Sequence, residues 1–169
     1  MNLQFYLEKL KNSDEFKKFK KENPKAYLCS CFFIIDEENK KKPDNKQHLD
    51  FYVPSNKKMF SFQLEDEGKK NELEFKGDKA PEQISLDIDF DISDIGKIII
   101  KRMKQDKINN IIKKIIFSFQ RVDEKDFIIA TVFISGYGLI KADIDISKME
   151  LTSFEKKSFF DMIKVVKKE

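Results

Sequence analysis

Histidine and cysteine are scarce in this chain of 169 residues, which contains one histidine and two cysteines. A Ser-His-Asp or Cys-His catalytic site would therefore have to use His48. His48 begins a predicted strand beside a lysine-rich loop, and an exposed strand-end histidine is the simpler interpretation. The five glycines form no P-loop or dinucleotide-binding pattern, and no HExxH sequence occurs. We therefore expect no enzyme activity, no catalytic residue and no cofactor.

The two cysteines are too few for a disulfide framework and, even with His48, too few for a four-ligand zinc site. Cys29 and Cys31 are two positions apart in a predicted strand, so we expect their side chains on one face. Two small buried core thiols explain this spacing. A C-x-C disulfide or a transient metal contact is the alternative.

Long apolar runs are absent as well. The longest near-apolar stretches, such as IIKKIIFSF and FIIATVFIS, fall far short of the ~20 residues of a transmembrane helix. The first residues, MNLQFYLEKLKNSDEF, become charged at once and contain no apolar core of a signal peptide. We therefore expect a cytoplasmic protein without membrane contact.

Arginine is nearly absent, because only Arg102 and Arg121 among the 33 basic residues are arginine. The formal net charge is +3, so acidic residues nearly balance the basic ones. Scattered lysine together with much Phe and Ile and little Ala is typical of an AT-rich coding sequence. Lysine-rich stretches at 17–25, 40–46 and 97–107 leave a nucleic-acid-associated protein as an alternative function.

The first half combines helix and strand patterns. Residues 3–22 carry apolar side chains at helical spacing, and Asn12-Ser13-Asp14 is expected to cap a second helical piece. Asn23-Pro24 ends this helical region. The composition and short connections that follow predict an antiparallel meander of strands at 27–35, 48–53 and 59–64.

The second half repeats this combination. The alternating residues 84–90 predict a strand, and Asp91 or Ser93 is expected to cap a helix that ends near Gln105. Further strands are predicted at 111–120, 126–135 and 138–146, joined by tight turns. The last segment, 153–167, is predicted as a helix, and a strand is the alternative.

The resulting fold class is α+β, with helices packed on antiparallel sheets in two related-looking halves. Each half contains a helix and a meander of three or four strands. The predicted boundaries are residues 1–65, a linker or exposed excursion at 66–83, and residues 84–169. The sequence FSFQ occurs at 60–63 and again at 117–120. An internal duplication or chance repetition in a Phe- and Lys-biased chain explains this recurrence.

Two side-chain patterns are candidates for binding. Alternating carboxylates on neighbouring strands would form a cation site or a carboxylate-based enzyme, or simply the solvated face of a sheet. The weak metal candidates are Asp87, Asp89, Asp143 and Asp145. Alternating phenylalanines resemble the stacking residues of single-strand-binding sheets, although core packing explains the same spacing. These interaction candidates are Phe60, Phe62, Phe117 and Phe119.

Residues 84–151 resemble PepSY-like domains, which run from a strand through a helix to a hairpin of strands. The resemblance lies in the order LDIDFD, ISDIGKIIIKRM, KKIIFSFQ, FIIATVF and GLIKADIDISKME. Asp145 stands at the acidic position of the family's final turn, and Lys148 replaces the expected glycine. The whole chain is similar to uncharacterised small archaeal proteins of this layout. The resemblance implies a non-catalytic module that binds or inhibits peptidases or mediates protein contacts.

Together these observations favour a non-catalytic protein-binding or regulatory module whose protein partner is unidentified. The nucleic-acid-associated protein and the Asp-x-Asp cation site or carboxylate enzyme are its two alternatives.

Overall fold

A computed structural model describes residues 2–85 and 91–158 of the chain. Within these ranges the chain forms three α-helices and eight strands that build one antiparallel sheet. The helices are α1 (Leu3–Lys11), α2 (Asp14–Glu22) and α3 (Ile92–Gln105). The strands are β1 (Tyr27–Asp36), β2 (Lys46–Val53), β3 (Lys58–Gln63), β4 (Lys69–Leu73), β5 (Ile112–Val122), β6 (Lys125–Ile134), β7 (Gly138–Asp145) and β8 (Glu150–Ser158).

The predicted helix caps at Ser13 and Asp91 are confirmed. The Ser13 hydroxyl accepts a hydrogen bond from the backbone N–H of Phe16 at 3.3 Å, within the first turn of α2. The Asp91 carboxylate accepts from the N–H of Ser93 at 2.8 Å and so begins α3. Both caps satisfy backbone donors that have no partner inside the helix.

The strands follow the order β4-β3-β2-β1-β5-β6-β7-β8 across the sheet. Strands β1 and β5 pair antiparallel at the centre, from Ser30 opposite Gln120 to Asp36 opposite Lys114. In the first half of the described chain, α1 and α2 are followed by a meander of four strands, β1–β4. In the second half, α3 is followed by a meander of four strands, β5–β8. The two meanders meet at the β1–β5 pair. The prediction of separate sheets is wrong, because both meanders belong to one continuous sheet.

The helices and one face of the sheet share a single hydrophobic core. In that core Phe19 of α2 contacts Phe51 and Phe62, with ring centroids 6.2 and 5.0 Å apart. Ile95 and Ile99 of α3 are fully buried in the same cluster. Because every second residue of the central strands enters this core, the residues between them face the other side of the sheet.

The four phenylalanines considered as interaction candidates belong to the core. Phe62, Phe117 and Phe119 are almost fully buried, and Phe60 is half-buried and packs against the same cluster. Phe117 stacks on Phe33 across the β1–β5 pair, with centroids 5.1 Å apart. Their role as stacking residues for a ligand is therefore corrected, because their rings fill the space beneath the helices.

Strand β4 lies within the segment predicted as a linker, 66–83. Its sequence KKNEL is short and mostly charged, and it forms an edge of the sheet beside β3. Charged side chains are common on edge strands because they discourage pairing with other chains. The charge that indicated a linker is therefore compatible with a strand.

Residues 153–158 belong to strand β8 and not to the predicted helix. Leu151 and Phe154 are three positions apart, which is helical spacing, yet both pack against the core. A register shift opposite Asp143 and Ile144 makes this possible, because the extra residue Thr152 reverses the strand's alternation. The rest of the predicted helix, 159–167, lies outside the described residues.

Residues 74–85 form a connection that we call the strap. Phe75 packs on Tyr52 with ring centroids 5.5 Å apart, and the hydroxyl of Tyr27 donates to the carbonyl of Pro81 at 2.7 Å. Farther on, the backbone N–H of Ile84 donates to Leu28 at 3.0 Å. Ile84 is buried, and neither Ile84 nor Ser85 is part of a strand. The rest of the strand predicted at 84–90 lies outside the described residues.

The helices of the described ranges are short. The longest is α3 with 14 residues, and none has the length and apolarity needed to cross a membrane.

We predict that Phe117→Ala lowers the free energy of unfolding by about 3–5 kcal/mol, because it removes a buried ring from the central strand pair. Urea denaturation followed by circular dichroism measures this change. Ile129→Ala provides the control, since Ile129 lies on the neighbouring strand but is 43% exposed. A loss at Phe117 no larger than that at Ile129 would contradict the assignment of Phe117 to the core.

Candidate functional site

The face of the sheet away from the helices is the candidate surface. In β5 the side chains of Ile115, Phe117 and Phe119 are buried, whereas those of the alternate residues are half-buried. Within the described residues, none of these alternate side chains belongs to the common core. We call this side of the sheet the open face. Its centre consists of Phe32, Ile34, Ile116, Ser118, Ile129 and Thr131.

The centre of the open face carries apolar side chains in two adjacent rows. The rows cross β1, β5 and β6 and contain Phe32, Ser118 and Ile129 in one and Ile34, Ile116 and Thr131 in the other. Ile129 is 43% exposed although it lies on an inner strand of the sheet. Ile34 and Ile116 are directly opposed, about 5 Å apart, and Phe32 and Ile129 are diagonal neighbours of Ile116, about 7–8 Å away on either side of Ser118.

Sequence reasoning missed this patch, although the sequence carries a signal for it. The segment YLCSCFFII is almost continuously apolar, so apolar side chains must project from both faces of β1. One face fills the core. The other presents Phe32 and Ile34 at the centre of the open face.

The polar part of the open face surrounds Asp50. Ser30 and Ser61 lie opposite Asp50 on its two neighbouring strands. The Asp50 side chain is buried, and its Oδ1 has no hydrogen-bond partner. Burial raises the pKa of Asp50 above its ordinary value, and hydrogen bonds from the two serines and the proximity of His48 offset only part of this effect. The carboxyl therefore resists ionisation.

His48 is held by a carboxylate. Its Nε2 lies 2.8 Å from Oε1 of Glu65, and the other Glu65 oxygen accepts from the N–H of Gln47 at 3.1 Å. Burial alone would raise the pKa of Glu65, but these hydrogen bonds outweigh it and hold the pKa below its usual value. The pair links β2 to the short 3-10 helix after β3, which gives His48 a structural role.

The cysteines do not share a face as predicted. The register between Leu28 and Ser30 shifts by one residue, so Cys29 lies at a β-bulge that breaks the alternation. Cys31 belongs to the core, whereas the Cys29 thiol contacts the Asp50 carbonyl at 3.4 Å. Both thiols are buried and unbridged. Burial raises the pKa of Cys29 to about 12 and that of Cys31 well above its ordinary value.

The carboxylate candidates on β7 lie beside the apolar rows. Asp143 is opposite Ile129, and Asp145 is opposite Phe127. Oδ1 of Asp145 accepts from the Ser147 hydroxyl at 2.6 Å, which lowers the pKa of Asp145 and ties it to the following turn. Asp87 and Asp89 lie outside the described residues. Among the residues described, no group of three or more His, Cys, Asp or Glu side chains is placed to hold a metal ion.

Both arginines form ion pairs. Arg102 Nε lies 2.8 Å from Asp106, and Arg121 lies 3.0 Å from Asp126. Arg102 also lies over the ring of Phe154, 5.3 Å from its centroid. These guanidinium groups are therefore engaged within the protein and stabilise α3 and the β5–β6 hairpin.

Comparisons with known proteins identify the fold. No family model and no curated protein matches the chain, so the PepSY-like and archaeal resemblances stay predictions. The chain is similar to a solved structure described as a putative lipoprotein from Clostridium difficile 630. The TM-score is 0.56 at 13% identity, and the match covers 85% of this chain and 91% of the other. At this identity the likeness concerns the fold alone.

We predict that neither cysteine reacts with Ellman's reagent in the folded protein, because the thiolate is the reactive form and burial disfavours it. Both should react once concentrated guanidinium chloride unfolds the chain. Ser153→Cys, at an exposed position on β8, provides a rapidly reacting control. Rapid reaction of two thiols in the folded wild type would contradict the burial of Cys29 and Cys31.

We predict that Asp50→Asn raises the free energy of unfolding by about 1 kcal/mol at pH 7, because it removes a poorly satisfied buried charge. Because the pKa of Asp50 is higher in the folded state than in the unfolded state, the carboxyl ionises more readily when the chain is unfolded. Asp50 therefore lowers the free energy of unfolding as the pH rises past about 4, the ordinary pKa of aspartate. The gain should therefore be smaller at pH 4 than at pH 7 in urea denaturation. Asp78→Asn, in the exposed strap, is the control and should change little. A loss of stability at pH 7 would contradict this assignment.

Proposed function

We propose that this protein is a non-catalytic module that binds a protein partner through the open face. The observation that carries this proposal is the pair of apolar rows at the centre of the face, with half-buried Phe32, Ile34 and Ile116 and exposed Ile129. Contiguous exposed apolar patches on soluble proteins are commonly interaction sites.

The surroundings of the apolar rows support a protein partner. On the β2 side, His48 lies beside Phe32 and Lys46 beside Ile34. On the β7 side, Asp143 follows Ile129 and Lys141 follows Thr131. An apolar centre within a polar rim of both charge signs is the usual arrangement of a protein–protein interface.

The face is a better candidate than either edge of the described sheet. Edge strand β4 carries Lys69, Lys70 and Glu72, and edge strand β8 carries Glu155 and Lys156. Such charges discourage the addition of another strand. A partner that binds by side-chain contacts on the open face avoids these edges.

The site gives less support to the alternative functions. A nucleic-acid surface needs cations positioned for phosphates, whereas the central rows are apolar and both arginines are committed to ion pairs. A catalytic site needs an activated nucleophile, whereas burial raises the pKa of both cysteine thiols. These observations favour binding without chemistry.

We predict that Ile129→Lys weakens partner binding while leaving the fold intact, because it places a charge in the centre of the apolar rows. Ile100→Lys is the matched control, since Ile100 is also 43% exposed but lies on helix α3, across the core. Affinity purification from the native source identifies the partner. Calorimetry with the purified partner then measures the loss, expected to be at least about tenfold in Kd.

Two outcomes would overturn the proposal. The first is equal binding of the purified partner by wild type, Ile129→Lys and Ile100→Lys, which would move the interface away from the open face. The second is turnover of a substrate by the wild type that disappears in His48→Ala, which would show catalysis.

A further inference from the structure

A concave site lies beside the β6–β7 turn. Lys113 and residues 133–139 line a cavity of about 590 Å³. This volume lies within the range of pockets that hold small molecules, which are mostly apolar with a few polar groups. The site belongs to one hairpin and the start of β5, and Phe133 and Leu139 lie in the row of the open face next to the row that contains Thr131.

The cavity has an apolar floor. Phe133 and Leu139 lie opposite each other on β6 and β7. Phe133 is 38% exposed, whereas Leu139 is only 6% exposed and yet lies outside the common core. Phe133 therefore offers the exposed apolar surface of the floor, beside the buried Leu139, and an apolar ligand group placed on it would be removed from water.

The turn that forms one wall is held in a fixed conformation. The N–H of Ser135 donates to the carbonyl of Ile111 at 2.8 Å, and the Ser135 hydroxyl accepts from the N–H of Ile111 at 3.0 Å. The Asn110 amide donates to the Ser135 carbonyl at 2.8 Å. Gly136 and Tyr137 have φ angles of +75° and +56°, and Tyr137 is 76% exposed on the turn. The cavity is thus largely preformed, which reduces the entropy cost of binding.

The rim of the cavity carries one lysine. Lys113 lines it directly, and its Nζ lies 2.7 Å from Glu38. A lysine ammonium has three donors, so this ion pair leaves capacity for a second acceptor. Lys114 and Lys157, opposite Phe133 and Leu139 on the adjoining strands, do not line the cavity, and Lys157 lies 3.1 Å from Glu155. An anionic group at the mouth would supply the second acceptor for the Lys113 ammonium.

We propose that this cavity binds a small carboxylate with an apolar tail, with the tail on Phe133 and Leu139 and the carboxylate at the Lys113 ammonium. The inference does not depend on the open face binding a protein. It rests on the combination of an apolar floor, a fixed turn and the Lys113 ammonium at one site.

The test is a titration of isotopically labelled protein with octanoate, followed by amide chemical shifts. Octanoate should shift the amide signals of Ser135, Gly136 and Leu139. Octanol, which lacks the charge, and acetate, which lacks the tail, should each bind at least about tenfold more weakly. Absence of shifts at these amides up to the solubility limit of octanoate, or equal binding of octanoate and octanol, would overturn the proposal.

Two variants locate the interaction. Lys113→Met should weaken octanoate binding about tenfold, and Phe133→Ala should weaken it by a similar factor. The controls are Lys101→Met and Ile100→Ala on α3, and both should bind octanoate as the wild type does. Unchanged affinity in Lys113→Met and Phe133→Ala would overturn the assignment.

The octanoate–octanol comparison decides the charge requirement in the wild type if a variant fails to fold. Because partner binding is measured with Ile129→Lys and octanoate binding with Phe133→Ala, failure of one proposal is distinguishable from failure of the other.

Discussion

The pairing of β1 with β5 is the interaction on which the rest of the structure depends. Each half of the described chain folds outward from this pair as a four-stranded meander. Without it, both strands would be long apolar edges, which readily pair with other chains. The stacked rings of Phe33 and Phe117 lie across this junction and beneath the helices. Sheet continuity and a common core are therefore established at the same place.

The central pair also determines what the other side of the sheet presents. Because the register places Phe32 opposite Ser118 and Ile34 opposite Ile116, apolar side chains from the two halves meet on the open face. Neither half alone contains the complete patch. The patch lies at the junction of the two halves, where residues about 85 positions apart in sequence are cross-strand neighbours.

The strap and the bulges modify this regular arrangement locally. Phe75 of the strap packs on Tyr52, which is buried. The accessible apolar part of the open face is therefore the pair of rows that contains the exposed Ile129. The bulge at Cys29 separates the two cysteines, and the one opposite Asp143 and Ile144 lets β8 direct Leu151 and Phe154 to the core. A single inserted residue reverses which face a side chain occupies, because side chains alternate along a strand.

The sequence by itself determined the elements whose signals are local. The caps at Ser13 and Asp91, the apolar spacing of α3 and the β-rich runs of β1, β5 and β6 depend on neighbouring residues, and all were predictable. Strand β4 and the bulged β8 were not, because charge on an edge strand and an inserted residue both obscure the alternation. The burial of Phe62 and Phe117, the isolation of Asp50 and the assembly of the apolar rows from both halves of the chain were decided only by the tertiary structure. They depend on the register between distant strands and on which face the helices cover, and no local pattern encodes either.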